Sequence, residues 1–300
     1  MKPRALGKRS FFKYTTPETA ISILERKTVK YSSPLCFNDP FDVQSGLHLN
    51  FDWNSFTDHT LDRLSEFITA DKAPLLDATD PGGNAILLAR QMYGPEGFDR
   101  ERWRQRLSPS LDTVAKSIAQ WQVEYQQKWT DLLPKMRVFC VAEDRDNLLM
   151  WAHYAKDHTG VVFEFQSLPE EDNALSVARK VRYMKEPPSF LTRGEWIDDI
   201  LGLQRVDLID FSRRYVLTKS SQWRYEKEWR VWYPHHGPST ELHTFLPINP
   251  HELKALYLGC QAEKPFLEKV VPLARSAFPQ LRLFQARKSE GSFSLEYTEA

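Results

Sequence analysis

Along this chain, short stretches in which apolar and polar positions alternate are interleaved with stretches in which apolar residues recur at helical spacing. Alternation at period two predicts strands, and apolar residues at i, i+3 and i+4 predict helices. On that basis Phe11–Thr15 is a strand. Thr16-Pro17-Glu18 starts a helix, with a hydroxyl at the N-cap, proline at N1 and an acid in the first turn. The helix runs to about Arg26, and a β-branched, aromatic strand follows over Thr28–Ser32. Asn38-Asp39-Pro40 then turns the chain, because Pro40 pushes Asp39 out of the α region.

From Phe51 to Leu133 the pattern becomes helical, over Ser55–Ala70, Asn84–Tyr93, Arg100–Arg106 and Leu111–Leu133, with a loop rich in Asp, Gly and Pro around Asp77–Asn84. Strands return at Arg137–Ala142, Val161–Phe165 and Arg179–Met184, with a helix over Asn147–Lys156. A long helix is predicted over Glu195–Thr218, then strands at His243–Leu246, Ala255–Leu258, Leu281–Gln285 and Ser292–Tyr297, with a helix over Glu263–Ala277. The order lacks regular βαβ alternation. It predicts an α+β fold with a mixed, largely antiparallel sheet core and a helical insertion after the first two strands. Residues 1–10 read as a flexible tail, 11–50 and 134–300 as the core domain, and 51–133 as the insertion.

The stretch Ser221–Tyr233 alternates most clearly and is predicted to be a single strand. One face would carry Trp223, Tyr225, Trp229 and Val231. The other would carry Arg224, Glu226, Glu228, Arg230 and Trp232. Two carboxylates and two guanidiniums on one face fit either a salt-bridged ladder or a site. As a site, one glutamate would orient a sugar hydroxyl and favour an oxocarbenium-like centre, as carboxylates do in glycosyl transfer.

Composition narrows the field. The 300 residues carry 40 Lys and Arg against 40 Asp and Glu, so no overall basic field supports sequence-independent DNA coating. No apolar run approaches the ~20 residues needed to cross a bilayer. Met1–Ser10 is basic without the apolar stretch of a signal peptide and reads as a short flexible tail. Cys36, Cys140 and Cys260 are odd in number and far apart in apolar contexts, which predicts reduced, buried thiols in the cytoplasm and neither disulfide nor zinc. His153 and His158 are five apart, the wrong spacing for paired ligands on one helix face, so no metal is predicted.

Other candidate groups lie near the N-terminus. Lys13 and Thr15 share a strand face just before a helix start, a place for an anion, although position alone favours an edge strand with an exposed lysine. Tyr31, Ser32 and Ser33 end the second strand with a ring and two hydroxyls, which suits a ribose or a planar ring as well as ordinary strand termination. Asn38 and Asp39 form a polar turn between Phe37 and Phe41; Asp39 and Asp42 together could also hold a cation.

As a set, the motifs FNDPFD (Phe37–Asp42), NLLMWAHYA with HTGVVFEF (Asn147–Phe165) and W-x-YE-x-EWR (Trp223–Arg230) resemble a bacterial family of unknown function, DUF2971. The last motif lies in a matching block that runs Lys219–Arg230, and shorter matching blocks are Phe12–Thr15, Ile23–Leu24, Tyr31–Ser33, Phe139–Cys140 and Leu256–Gly259. The opening strand, helix and hydroxyl-ended strand are also similar to ADP-ribosyltransferase-like domains. Those place His or Arg on the first strand, Tyr or Ser on the next, and a late Glu, often in E-x-E. Lys13, Tyr31-Ser32-Ser33 and Glu226-x-Glu228 occupy those places, with lysine as the departure.

That resemblance implies an NAD-dependent transferase. Tyr31 would stack nicotinamide, Ser32 and Ser33 would hold ribose, and Lys13 would meet the adenosine or pyrophosphate side. Asn38 and Asp39 would lie beside the cofactor, Glu228 would be catalytic and Glu226 would orient the acceptor. NAD would be the substrate and a nucleic acid or protein the acceptor, in a toxin or phage-defence setting, with no membrane role. The alternative is a non-enzymatic defence module that binds nucleic acid or protein through the Trp-rich stretch, Arg224 and Arg230. A metal nuclease built on Asp39, Asp42, Glu226 and Glu228 is a third reading.

Overall fold

A computed structural model describes residues 7–48, 55–72, 75–76, 79–93, 97–204 and 208–300. Residues 1–6 of the expected tail, 51–54 at the start of the expected insertion, 77–78 of the expected loop and 205–207 of the expected long helix lie outside them.

The chain begins with β1 (Ser10–Thr15), α1 (Pro17–Arg26) and β2 (Thr28–Ser32). Three helices follow: α2 (Phe56–Thr69), α3 (Pro81–Tyr93) and α4 (Arg100–Leu132). Next come β3 (Met136–Ala142), α5 (Leu148–Tyr154), β4 (Val161–Gln166), β5 (Arg179–Lys180) and β6 (Arg182–Met184). After α6 (Arg193–Ile200) and α7 (Leu208–Val216), β7 (Thr218–Ser220) leads to β8 (Glu228–Pro234), β9 (His243–Pro247) and β10 (Leu253–Leu258). The chain closes with α8 (Lys264–Ala277), β11 (Arg282–Lys288) and β12 (Leu295–Glu299). The class is α+β, with a mixed and mostly antiparallel sheet.

Two compact units divide the chain. The first comprises Met1–Gln44, Leu132–Lys185 and Leu217–Ala300; the second comprises Ser45–Asp131 and Glu186–Val216. The second unit is helical. Trp129, Phe211 and Tyr215 form one aromatic cluster in it, with ring centroids 5.1–5.4 Å apart. Leu64, Ile68, Ile86 and Ala89 join α2 to α3.

The first unit holds a ten-stranded sheet ordered β12-β11-β10-β4-β1-β3-β2-β9, with β8 beside β3 and β5 beside β8. Among the described residues only β10 and β11 run parallel within it, joined through α8, which has the length a crossover requires. Phe11, Val29, Phe139, Phe163, Leu256 and Val231 sit in one large core cluster together with Ile23 and Leu24 of α1. Thr16 caps α1 as its sequence predicts, its hydroxyl accepting from the Thr19 N–H.

One feature of the sheet positions the site. β3 pairs with β8 along its whole length, from Met136 opposite Pro234 to Ala142 opposite Glu228. The remaining edge of β3 is shared. Phe12 of β1 stands opposite Ala142, and Ser32 of β2 stands opposite Val138. Between those two pairings the Lys13 ammonium bonds the Cys140 carbonyl at 2.8 Å.

Several expected elements differ. The stretch Ser221–Tyr233 is not one strand: Ser221–Glu226 is a 3-10 turn, Lys227 is left-handed with φ 47°, and β8 begins at Glu228. The Ser220 hydroxyl starts that turn by accepting from the Gln222 N–H, so local capping overrides the alternation. Arg100–Leu132 is a single helix running through Pro109; a long helix absorbs the one backbone bond a proline removes. The expected helix over 195–218 is two, α6 and α7, and α6 opens on a full capping box between Thr192 and Glu195. Arg179–Met184 splits because β5 pairs with β8 and β6 pairs with β7. After α5 the chain takes three successive left-handed residues, Lys156, Asp157 and His158. Gly160 follows where a Cβ would fall 2.1 Å from the Thr15 carbonyl oxygen.

Candidate functional site

A cavity of about 730 Å³ lies in the first unit where β1 and β2 share the edge of β3. Residues 12–15 of β1, Thr28, Lys30 and Ser32 of β2, residues 138–142 of β3 and Tyr154 of α5 line it. Asn38, Asp42, Lys219, Glu226, Glu228 and Arg230 complete its polar wall. The volume falls in the range of small-molecule and cofactor sites.

A buried ionic cluster forms that wall. Arg230 is 1 % exposed and grips Asp42 with two nitrogens, at 3.0 and 2.6 Å. The same guanidinium holds Glu228 through Nε at 2.8 Å and Nη2 at 3.1 Å. Lys219 bonds Glu226 at 2.5 Å and Glu228 at 3.1 Å, and stands 3.6 Å from Asp42. Tyr154 donates to the other Glu226 oxygen at 2.5 Å, and Asn38 reaches the Tyr154 hydroxyl at 3.5 Å. The Lys219 ammonium also lies 5.0 Å from the Trp223 ring centroid.

These residues come together for local reasons. The left-handed Lys227 turns the chain between Glu226 and Glu228, so the two glutamates belong to different elements. Lys219 sits in β7, just ahead of the turn that carries Glu226. Glu228 and Arg230 share a face of β8 at i,i+2. Asp42 arrives from the FNDPFD loop, where Asp39 caps the Phe41 N–H at 2.9 Å.

The two glutamates are pushed in opposite directions. Burial raises both. At Glu228, Arg230 and then Lys219 outweigh burial and hold the carboxyl well below the usual carboxylate range. At Glu226 burial prevails, and the Glu228 charge adds to it, against Lys219 and Tyr154. Lys219 is held ionised, because Glu228, Asp42 and Glu226 together overcome its desolvation. Desolvation pulls Lys13 down. Burial and the Glu226 charge push the Tyr154 hydroxyl up, keeping it a proton donor.

Among the residues expected from sequence, Lys13, Ser32, Asn38, Glu226 and Glu228 line the cavity. Tyr31 does not join them. Its side chain is 3 % exposed and packs in the core against Phe139 and Tyr233, with centroids 5.1 and 5.6 Å apart. Ser33 is fully buried and donates to the Leu133 carbonyl at 2.7 Å, and Asp39 serves its loop turn. Of the groups a binding module would use, Trp229 and Arg230 are buried and Arg224 is exposed. No group of three or more His, Cys, Asp or Glu is placed to hold a metal among the described residues, and the Lys219 ammonium stands among Asp42, Glu226 and Glu228.

Sequence reading missed Lys219, Tyr154 and Thr28 as parts of the site. The signal for Lys219 was its place at the head of the block Lys219–Arg230 that carries the family resemblance. Thr15 and Thr28 stand out because their buried hydroxyl oxygens have no hydrogen-bond partner among the described residues. Both line the cavity. Unsatisfied buried hydroxyls are uncommon in folded proteins. Cys36, expected buried, is exposed.

A family model described as a protein of unknown function (DUF2971) matches residues 150–231. That span contains Tyr154, Lys219, Glu226, Glu228 and Arg230 and leaves out Lys13 and Asp42. Neither the curated proteins nor the solved structures gave a match.

Proposed function

We propose that the cavity is the active site of an ADP-ribosyltransferase-like enzyme, with NAD as substrate and a macromolecule as acceptor. The observation that carries this reading is the pairing of Glu226 and Glu228. They line one cavity, in environments that move their ionisation apart. Two carboxylates tuned in opposite directions divide the work of glycosyl transfer.

Glu228, kept ionised, stabilises the positive charge that develops at ribose C1′ as the bond to nicotinamide breaks and its electron pair leaves with nicotinamide. Glu226 accepts the proton from the acceptor nucleophile as the new bond to C1′ forms. Tyr154 and Lys219, bonded to its two oxygens, orient it for that task. Lys13 and the hydroxyls of Thr15, Thr28 and Ser32 supply polar contacts along the rest of the cavity. With Tyr31 committed to the core, the rings left to flank nicotinamide are those lining the cavity, Tyr154 and Phe37 among them.

Nicotinamide release from NAD, followed together with thermal melting, tests the reading. Wild type should release nicotinamide, Glu228→Gln should abolish release while remaining folded, and Glu226→Gln should lose transfer to the acceptor more than NAD hydrolysis. Absence of NAD binding by wild type in calorimetry, or full turnover by folded Glu228→Gln, would refute it.

A further inference from the structure

Cys36 ends the short turn Pro34–Cys36 and is exposed on the lining of the cavity. Its Sγ lies 3.9 Å from Nε2 of His243. His243 stands directly opposite Ser32 in the pairing of β9 with β2, and its Nδ1 lies 3.3 Å from the Ser32 Oγ. Thiol, imidazole and hydroxyl therefore form a hydrogen-bonded series. With Nδ1–H donating to Ser32, the Nε2 lone pair faces the thiol, the arrangement of a nucleophile with its base and the group that orients the base.

A further observation supports a role for this series. Burial, with the charges of Lys30 and Arg137, holds the His243 pKa below its ordinary value, so the ring is neutral near pH 7 and able to accept a proton. Burial instead pushes up the Cys140 and Cys260 thiols, and both residues are half-buried.

We propose that Cys36 is a modification site, a nucleophilic thiol on the cavity rim that His243 activates, Ser32 positions, and low-molecular-weight disulfides convert to a mixed disulfide. His243 Nε2 takes the thiol proton, and the thiolate attacks one sulfur of the incoming disulfide. The new S–S bond forms at Cys36 as the old one breaks. Its electron pair leaves on the second sulfur, which takes the proton back from His243. Cys36 is oxidised and the departing thiol is reduced, so no other oxidant is needed. The added group then occupies the rim that Cys36 and Ser32 line. None of this depends on the cavity carrying out glycosyl transfer.

The test treats the full chain with oxidised glutathione and follows each cysteine by peptide mass spectrometry. Cys36 should be modified about tenfold faster than Cys260 in the same chain. Folded His243→Gln should bring Cys36 down to the Cys260 rate, Ser32→Ala should slow it, and Ser32→Thr should restore it. Cys36 reacting no faster than Cys260 in wild type would overturn the proposal. So would an unchanged Cys36 rate in His243→Gln with an unchanged melting temperature.

Discussion

The Tyr154 hydroxyl donates to Oε1 of Glu226 at 2.5 Å, tying the end of α5 to the turn that precedes β8. Tyr154 also lines the cavity, so one side chain joins the wall of the site to the carboxylate least committed to a cation. Arg230 holds Glu228 from one side and Lys219 from another, whereas among the described residues Glu226 is paired with Lys219 alone.

Tyr154→Phe tests that link. Losing one hydrogen bond to a charged group should cost about 1.5–3 kcal/mol in chemical unfolding. It should also move the acid limb of the activity profile to higher pH, because the bond it removes opposes the burial that raises the Glu226 pKa. An acid limb that stays in place would show that Glu226 does not titrate in the reaction.

Arg230→Met should be among the most damaging single substitutions. It leaves Asp42 and Glu228 buried without their main counter-charge, a loss of about 3–5 kcal/mol by the usual cost of breaking a buried ion pair. Denaturant unfolding measures it. A loss below that of an ordinary exposed pair would mean that Lys219 alone suffices.

Stability in acid follows from the opposite shifts of the two glutamates. The folded pKa of Glu228 lies below its unfolded value, so its contribution is present above the usual carboxylate range and is lost as pH falls toward the folded value. The folded pKa of Glu226 lies above its unfolded value, so its contribution is present in acid and disappears as pH rises through the folded pKa. Melting temperatures recorded from about pH 7 to pH 3 should fall less steeply for Glu228→Gln than for wild type, and more steeply for Glu226→Gln.

Thr15→Val and Thr28→Val separate ligand recognition from folding. Each removes a buried hydroxyl that has no partner, so stability should change by less than about 1 kcal/mol or improve. If those hydroxyls meet a ligand, NAD affinity measured by calorimetry should fall about tenfold, the equivalent of one lost hydrogen bond. Unchanged affinity in both variants would place the ligand elsewhere in the cavity.

Trp151→Ala addresses the packing beneath the site. The indole is fully buried, meets Tyr14 edge-on at 5.6 Å and donates to the Arg145 carbonyl at 2.8 Å. Its removal should cost about 3–5 kcal/mol, read as a lowered melting temperature.

Much of the architecture was legible because its causes are local. Thr16-Pro17-Glu18 carries its own helix start, and β1, β2, β4 and β10 follow apolar patterns that suit buried strands. Glu226 and Glu228 could be singled out for the same reason, since their spacing and aromatic setting are properties of one short stretch. The mechanism that brings them together could not be read that way. The sequence suggested one strand face, but a capped 3-10 turn and the left-handed Lys227 separate the two residues into different elements. Lys219 and Arg230 then draw both carboxylates into one cluster.

The sequence by itself determined the α+β class, the order of most elements and the stretch that bears the two glutamates, because periodicity, caps and turns act over a few residues. Tertiary structure alone decided which of their neighbours matter. Tyr31 shares an alternating strand with Ser32, yet the sheet face that strand presents to the core takes the ring and leaves the hydroxyl at the cavity. Asp42 reaches Arg230 across 188 positions, and Cys36 reaches His243 across 207. Those contacts follow from which strands pair and in what register, for which no pattern of a few residues carries information.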